Sequence, residues 1–143
     1  MSITAANATI FLSIAGLYST PVQLQGFAAD DIFTTEPIDV AEELMGVDGT
    51  LTAGFIWVPT LWNIAFQADS PSNQIFDSWR LAEIAAQEKY PANGVVMLTS
   101  LGTQWQLTNG FLKKFPPIPD AGKTLKPRKF GIVWQVITPS PTT

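Results

Sequence analysis

Any chemistry in this chain must proceed without histidine or cysteine, since its 143 residues contain neither. That removes Ser-His-Asp and Cys-His nucleophiles, imidazole proton shuttles and the usual zinc ligands. It also removes disulfides and thiolate metal sites. What remains is carboxylate chemistry or a Ser-Lys pair. Asp30-Asp31 and Glu42-Glu43 are adjacent acids, and neighbours along a strand point to opposite faces, which is poor geometry for chelation. A glycosidase needs two carboxylates flanking one bond. With twelve acids in the chain, a matching pair arises by chance and carries no weight. Neither GxxxxGK[ST] nor GxGxxG occurs, so no phosphate loop is present. Basic and aromatic residues interleave only over 123–130. With an overall pI near 4.5, that stretch reads as a solvated or interface basic face and not as a nucleic-acid site. The expectation is a protein that is not an enzyme and uses no cofactor or metal.

The elements that would position these residues are mostly strands. Residues 7–15 read as a buried strand, and 21–27 alternate apolar and polar types as a half-buried one. Residues 34–45 read as a longer strand, although Ala-Glu-Glu-Leu-Met also suits a helix over 38–45. Gly46-Val47-Asp48-Gly49 then gives a hairpin turn. Strands over 50–58 and 61–67 follow, making three consecutive antiparallel strands. One amphipathic helix is expected over 71–89, with Ser70 as N-cap, Pro71 in the first turn, and Pro91 and Asn93-Gly94 beyond its end. Residues 95–101 and 103–108 pair about Gly102. Asn109-Gly110 breaks the chain before 111–115, a loop occupies 116–126, and 128–137 is the final strand. Residues 1–8 read as a possible arm and 138–143 as a frayed tail. The chain is expected to be a single domain over 1–143, with no internal repeat or long linker.

Charge is sparse and unevenly placed. Charged residues make up 14% of the chain, against a usual ~25%, so part of the surface is expected to be covered in an assembly. No Lys or Arg precedes Arg80, while nine of the twelve acids do; all eight basic residues follow. An acidic patch on one copy meeting a basic patch on the next would give head-to-tail association. Interleaved strands could equally scatter the asymmetry on folding. The apolar run 10–15 lacks the basic flank of a signal peptide, and no apolar stretch reaches the ~20 residues of a membrane span.

An ordered series of features resembles a known family. It begins at Leu24-Gln25-Gly26-Phe27 and continues through an acidic region ending at Gly46-Val47-Asp48-Gly49. Leu51-Thr52-Ala53-Gly54-Phe55 follows, then the run from Ile64 through Asp69-Ser70-Pro71 into the helix, and finally the Lys/Arg-bearing strand from Lys126. Together, over about residues 24–137, these resemble the tail tube protein of contractile-tailed bacteriophages, related to type VI secretion tube subunits. The resemblance implies an α+β, mainly β subunit with one helix: an antiparallel β-sandwich or half-barrel that closes into a continuous barrel when six copies form a ring. Stacked rings would make a conduit for genome delivery, in a virion tail assembled in the host cytoplasm. Expected partners are further copies of the chain and sheath, baseplate and tape-measure proteins, with DNA only in transit and no membrane. Glu36, Asp39, Glu42 and Glu43 become candidate lumen acids, since an acidic bore lets DNA slide; an acidic outer face is their other reading. Gly46, Val47, Asp48 and Gly49 become a candidate inter-ring contact. Lys123, Lys126, Arg128 and Lys129 become a basic patch facing a neighbouring subunit or sheath. A tail terminator or baseplate subunit of the same fold is one alternative. A carbohydrate-binding or hydrolytic β-sandwich, suggested by five Trp and many carboxylates, is the other.

Overall fold

Alternating apolar residues give most of the strands one face to bury, and one sheet buries them all. The computed structural model describes residues 8–27, 32–98 and 101–141. Its strands are β1 (Ala8–Ile14), β2 (Tyr18–Gln23), β3 (Phe33–Thr35), β4 (Ala41–Met45), β5 (Leu51–Phe55), β6 (Thr60–Phe66), β7 (Ala92–Leu98), β8 (Thr103–Lys114) and β9 (Arg128–Pro141). Helix α1 (Asn73–Ala86) lies between β6 and β7. Seven strands form an antiparallel sheet in the order β2-β1-β7-β8-β9-β6-β3, while β4 and β5 pair only with each other.

The core is the inner face of that sheet. Ile10, Leu12 and Ile14 of β1 stand opposite Val96, Gly94 and Ala92 of β7. Trp62 and Ile64 of β6 stand opposite Ile132 and Phe130 of β9. Helix α1 adds Ile75, Phe76 and Trp79 at helical spacing, all in the same buried cluster. Phe76 stacks on Phe130 with ring centroids 4.3 Å apart. The Trp79 indole N–H donates to the Tyr90 carbonyl at 3.1 Å. Burying one large aromatic of this kind stabilises the fold by about 3–5 kcal/mol, read as the cost of truncating it.

The sheet curls but is not a closed barrel. Residues 24–27 link β1 to β6, the strands next to its two edges: the Leu24 N–H donates to Ile10 O at 2.9 Å and Phe27 bridges to Phe66. The serines before α1 hold that link. Ser70 Oγ donates to the Gln25 carbonyl, and the Gln25 N–H donates to Ser72 Oγ at 2.7 Å. Gly26 adopts φ +72 there, with Ser70 where a side chain would project.

Several sequence expectations give way for identifiable reasons. The strand expected over 34–45 is split, because Pro37 has no N–H to extend the ladder beyond Thr35. The three-strand meander fails too: β5 pairs with β4, but β6 leaves for the large sheet. Mainly β with one helix and antiparallel sheets holds, and among the described residues the single chain does not close a barrel. Ser70 is not the N-cap; that place falls to Ser72, whose hydroxyl is committed to Gln25. Asn109-Gly110 does not break the chain. Asn109 takes φ 50 inside β8, its N–H donates to Asn93 Oδ1 at 3.0 Å, and the strand continues past a bulge. The expected tail is strand as far as Pro141. The arm, apart from Ala8, lies outside the described residues.

Gly110 pairs with Trp134, and a β-carbon at Gly110 would run into the six-membered ring of that indole. Gly110→Val should therefore lower unfolding stability by about 1–3 kcal/mol through overpacking. Chemical denaturation of the variant against wild type measures this. A change confined to the denaturant slope, with an unmoved midpoint, would count against the contact.

Candidate assembly surface

The residues nominated for chemistry do not converge. Among the described residues, no three acids gather where they could hold a metal ion. Three of the five tryptophans, Trp62, Trp79 and Trp134, are sealed in the core, so they offer no platform for a sugar. The surface that stands apart is the β4–β5 hairpin.

Its turn is built by local hydrogen bonds. The Gly46 N–H donates to Thr50 O at 2.8 Å, and the Gly49 N–H donates to Gly46 O at 3.0 Å. Gly49 takes φ +88, open to glycine without strain. Asp48 Oδ1 accepts the Thr50 N–H at 3.0 Å. That bond, with a second from the Thr50 side chain, favours the charged carboxylate and lowers the Asp48 pKa below its ordinary value.

The strands beyond the turn are exposed along their whole length among the described residues. Register places Met45, Glu43 and Ala41 opposite Leu51, Ala53 and Phe55 on one face. Glu42 and Leu44 lie opposite Gly54 and Thr52 on the other. The first face is almost wholly apolar and the second is mixed. Leu44 is 72% exposed, Phe55 73% and Trp57 77%, and the last two meet edge to face at 4.9 Å. A lone two-stranded ribbon is at best marginally stable in water. Covering each such side chain stabilises by about 1.5–3 kcal/mol. The hairpin is therefore a surface in want of a cover.

The other nominated residues take separate places. Glu36 and Asp39 are exposed in the connection between β3 and β4. Glu36 also lines a cleft of about 450 Å³ at the mouth of the curl, with Trp62, Trp105 and Ile137 on its walls. Glu42 and Glu43 point to opposite faces, so the four acids do not form one array. Lys123, Lys126 and Lys129 are exposed. Lys123 lines a groove with Gln67, Ala68 and Asp69. Arg128 is not with them. It is 6% exposed and turned inward. Its guanidinium donates to both Asp77 oxygens at 3.0 and 3.3 Å and to Pro116 O at 2.7 Å, and lies 4.9 Å from the Phe130 ring. It ties α1 and the loop after β8 to β9, a structural role that the Lys-Pro-Arg-Lys run concealed.

Sequence reasoning missed a second groove, of about 460 Å³, between the end of α1 and the end of β8. Arg80, Ile84, Lys113, Phe115 and Pro117 line it. On its wall the buried Glu83 holds Lys89 at 3.2 Å, and Lys89 also donates to Leu112 O at 2.7 Å. The signal was present in the sequence: Leu81 and Ile84 lie off the Ile75-Phe76-Trp79 stripe and stay exposed.

Comparison with known proteins follows from this geometry. The pattern of the family described as "Tail fiber protein gp32" matches residues 1–138. No curated protein matches. Among solved structures, a chain of the anti-feeding prophage baseplate superposes with a TM-score of 0.61 at 14% identity, covering 100% of this chain and 99% of that one. A chain of the anti-feeding prophage tube-terminating cap gives 0.58 at 10% identity, covering 99% and 92%. A chain of an extracellular contractile injection system, the PVC sheath-tube complex in its extended state, gives 0.52 at 12%, covering 92% and 88%. At such identities the likeness establishes a shared fold, and function must be argued from surfaces.

Two outcomes test the local assignments. Asp48 contributes to the turn at any pH above its unfolded value, and that contribution is lost as pH falls through the lower folded value. The Thr50 amide resonance should therefore titrate with a midpoint below 3.8; Asp48→Asn should abolish that titration. Arg128→Lys keeps the charge but loses the fork, and should lower unfolding stability by about 1.5–3 kcal/mol. A thermal melt matching wild type would refute the inward tie.

Proposed function

The chain belongs to the tail fiber protein gp32 family, and from that premise we propose that it is a non-catalytic subunit of a contractile-type phage tail, built into stacked hexameric rings of the tail tube. The observation carrying this reading is the hairpin: apolar side chains on both faces, exposed among the described residues. Six such ribbons set side by side would complete a barrel that the single chain leaves open, and would remove its exposed strand edges. The fold shared with chains of baseplate, cap and sheath-tube assemblies supports the same reading.

Within such a ring the two hairpin faces divide the work. The mixed face, with Glu42 and Thr52, suits a water-filled bore. The apolar face, with Ala41, Ala53 and Phe55 at its root, suits a neighbouring copy in the same ring. Duplex DNA carries about one charge per 1.7 Å, so a bore free of Lys and Arg passes it without holding it. Residues 1–79 contain neither. Glu42 is then the lumen acid, with Glu36 and Asp39 near the rim and Glu43 turned toward the adjoining subunit. Sheath, baseplate and tape-measure proteins are the expected companions. A terminator or baseplate subunit is the second reading, favoured by the cap and baseplate chains that share the fold.

Negative-stain imaging of the purified protein at rising concentration separates the readings. Rings and tubes are expected from wild type. Leu51→Asp with Phe55→Asp should abolish them and leave the thermal melt within about 0.5 kcal/mol of wild type, because exposed positions outside the core contribute little. Single rings that never stack would favour the terminator reading. A strict monomer would overturn both.

A further inference from the structure

Five of the nine acids that precede Arg80 gather at one end of the fold. Chain direction and register show it. β3 runs from Phe33, opposite Ile64, to Thr35, opposite Trp62, so the chain leaves the sheet toward the Thr60 end of β6. Thr60 lies opposite Trp134, and Phe66 opposite Arg128. The hairpin therefore springs from one end of the β6–β9 pair. The other end, six residues away, is about 20 Å distant at strand rise. Glu36, Asp39, Glu42, Glu43 and Asp48 all lie on the excursion at the first end, with no basic residue among them. Lys114 pairs with Gly131 at the end of β8, midway along the β6–β9 pair. The chain then runs to Pro116, whose carbonyl is held by Arg128 at the second end, and Lys123 shares a groove with Gln67, Ala68 and Asp69, just beyond Phe66.

The groove between α1 and β8 lies toward this second end. It offers an apolar floor, Ile84, Phe115 and Pro117, flanked by Arg80 and Lys113. The tip of the hairpin offers apolar side chains, Met45, Val47 and Leu51, flanked by Glu43 and Asp48. Each surface supplies what the other lacks, and they sit at different ends of one molecule. Two different complementary patches on one chain make a heterologous contact, which propagates instead of closing on itself in a pair.

We infer that the outer half of the β4–β5 hairpin of one copy seats in the Arg80–Lys113 groove of the next, and that this contact sets the head-to-tail polarity of the stack. The inference rests on the assembly reading above and names the surface that receives the hairpin. Association through it is electrostatic in part, so it weakens as salt screens the opposed charges.

A charge swap on the full chain tests the contact, read by sedimentation and negative-stain imaging. Arg80→Glu with Lys113→Glu reverses the groove, and Glu43→Lys with Asp48→Lys reverses the hairpin tip. Each variant alone should need at least about tenfold more protein than wild type to stack, a tenfold change corresponding to 1.4 kcal/mol. Mixing the two variants should restore stacking near the wild-type threshold, because each reversed groove then meets a reversed hairpin. A chain carrying all four changes should also stack. Circular dichroism melts confirm that each variant is folded. The inference is overturned if the groove variant stacks like wild type while the Leu51→Asp, Phe55→Asp variant does not; assembly through the hairpin would then stand with its seat elsewhere. It is equally overturned if both swapped variants fold, fail to stack, and are not rescued by mixing, since the groove would then receive a partner other than this chain. Wild type that forms rings but never stacks overturns the inference and leaves ring formation intact.

Discussion

Trp134 packs over Gly110, a position with no side chain, and the order of the sheet depends on that contact. Gly110 faces Trp134 from β8 and Ala92 from β7, so one glycine lets three strands close up around a single indole. Trp62 then meets Trp134 edge to face at 6.1 Å, drawing in β6. The bulge at Asn109 is what brings Gly110 to that place: one residue with positive φ shifts the register so that Leu107, Gly110 and Leu112 are all buried. Without the shift, alternation would send one end of β8 to solvent.

A core closed in this way has no room for residues 36–57. The inner face is filled by side chains from the sheet and from α1, and the hairpin contributes none of them. Its leucines and aromatics are left in water by the success of the rest of the fold. Such a surface in a folded chain marks an interaction site. On the proposed assembly, the exposed apolar ribbon, the sparse charge and the acidic excursion are aspects of one design.

The buried ion pair of Arg128 shows the limit of reading charge from spacing. Four basic residues within seven positions look like a patch, yet strand alternation points Arg128 inward and Lys129 outward. The inward guanidinium is tolerated because Asp77, Pro116 and two aromatic rings surround it. A lysine run is a surface only where no partner waits beneath it.

The sequence by itself determined the element types, because alternation and helical spacing report burial directly. Residues 8–14, 60–66 and 128–134, the 46–49 turn and the single helix were all readable, and the lack of His and Cys excluded whole classes of chemistry. Tertiary structure alone decided which strands paired. β6 left its sequence neighbour β5 for β9 and β3, and Asn109-Gly110 became a bulge instead of a turn because the Asn109 N–H found Asn93 Oδ1 far back along the chain. It alone also decided which apolar residues were core and which were surface. Leu44 and Leu112 are the same residue type in the same kind of strand. One is bare and the other sealed, because burial depends on what lies opposite in space, and a local pattern carries no record of that.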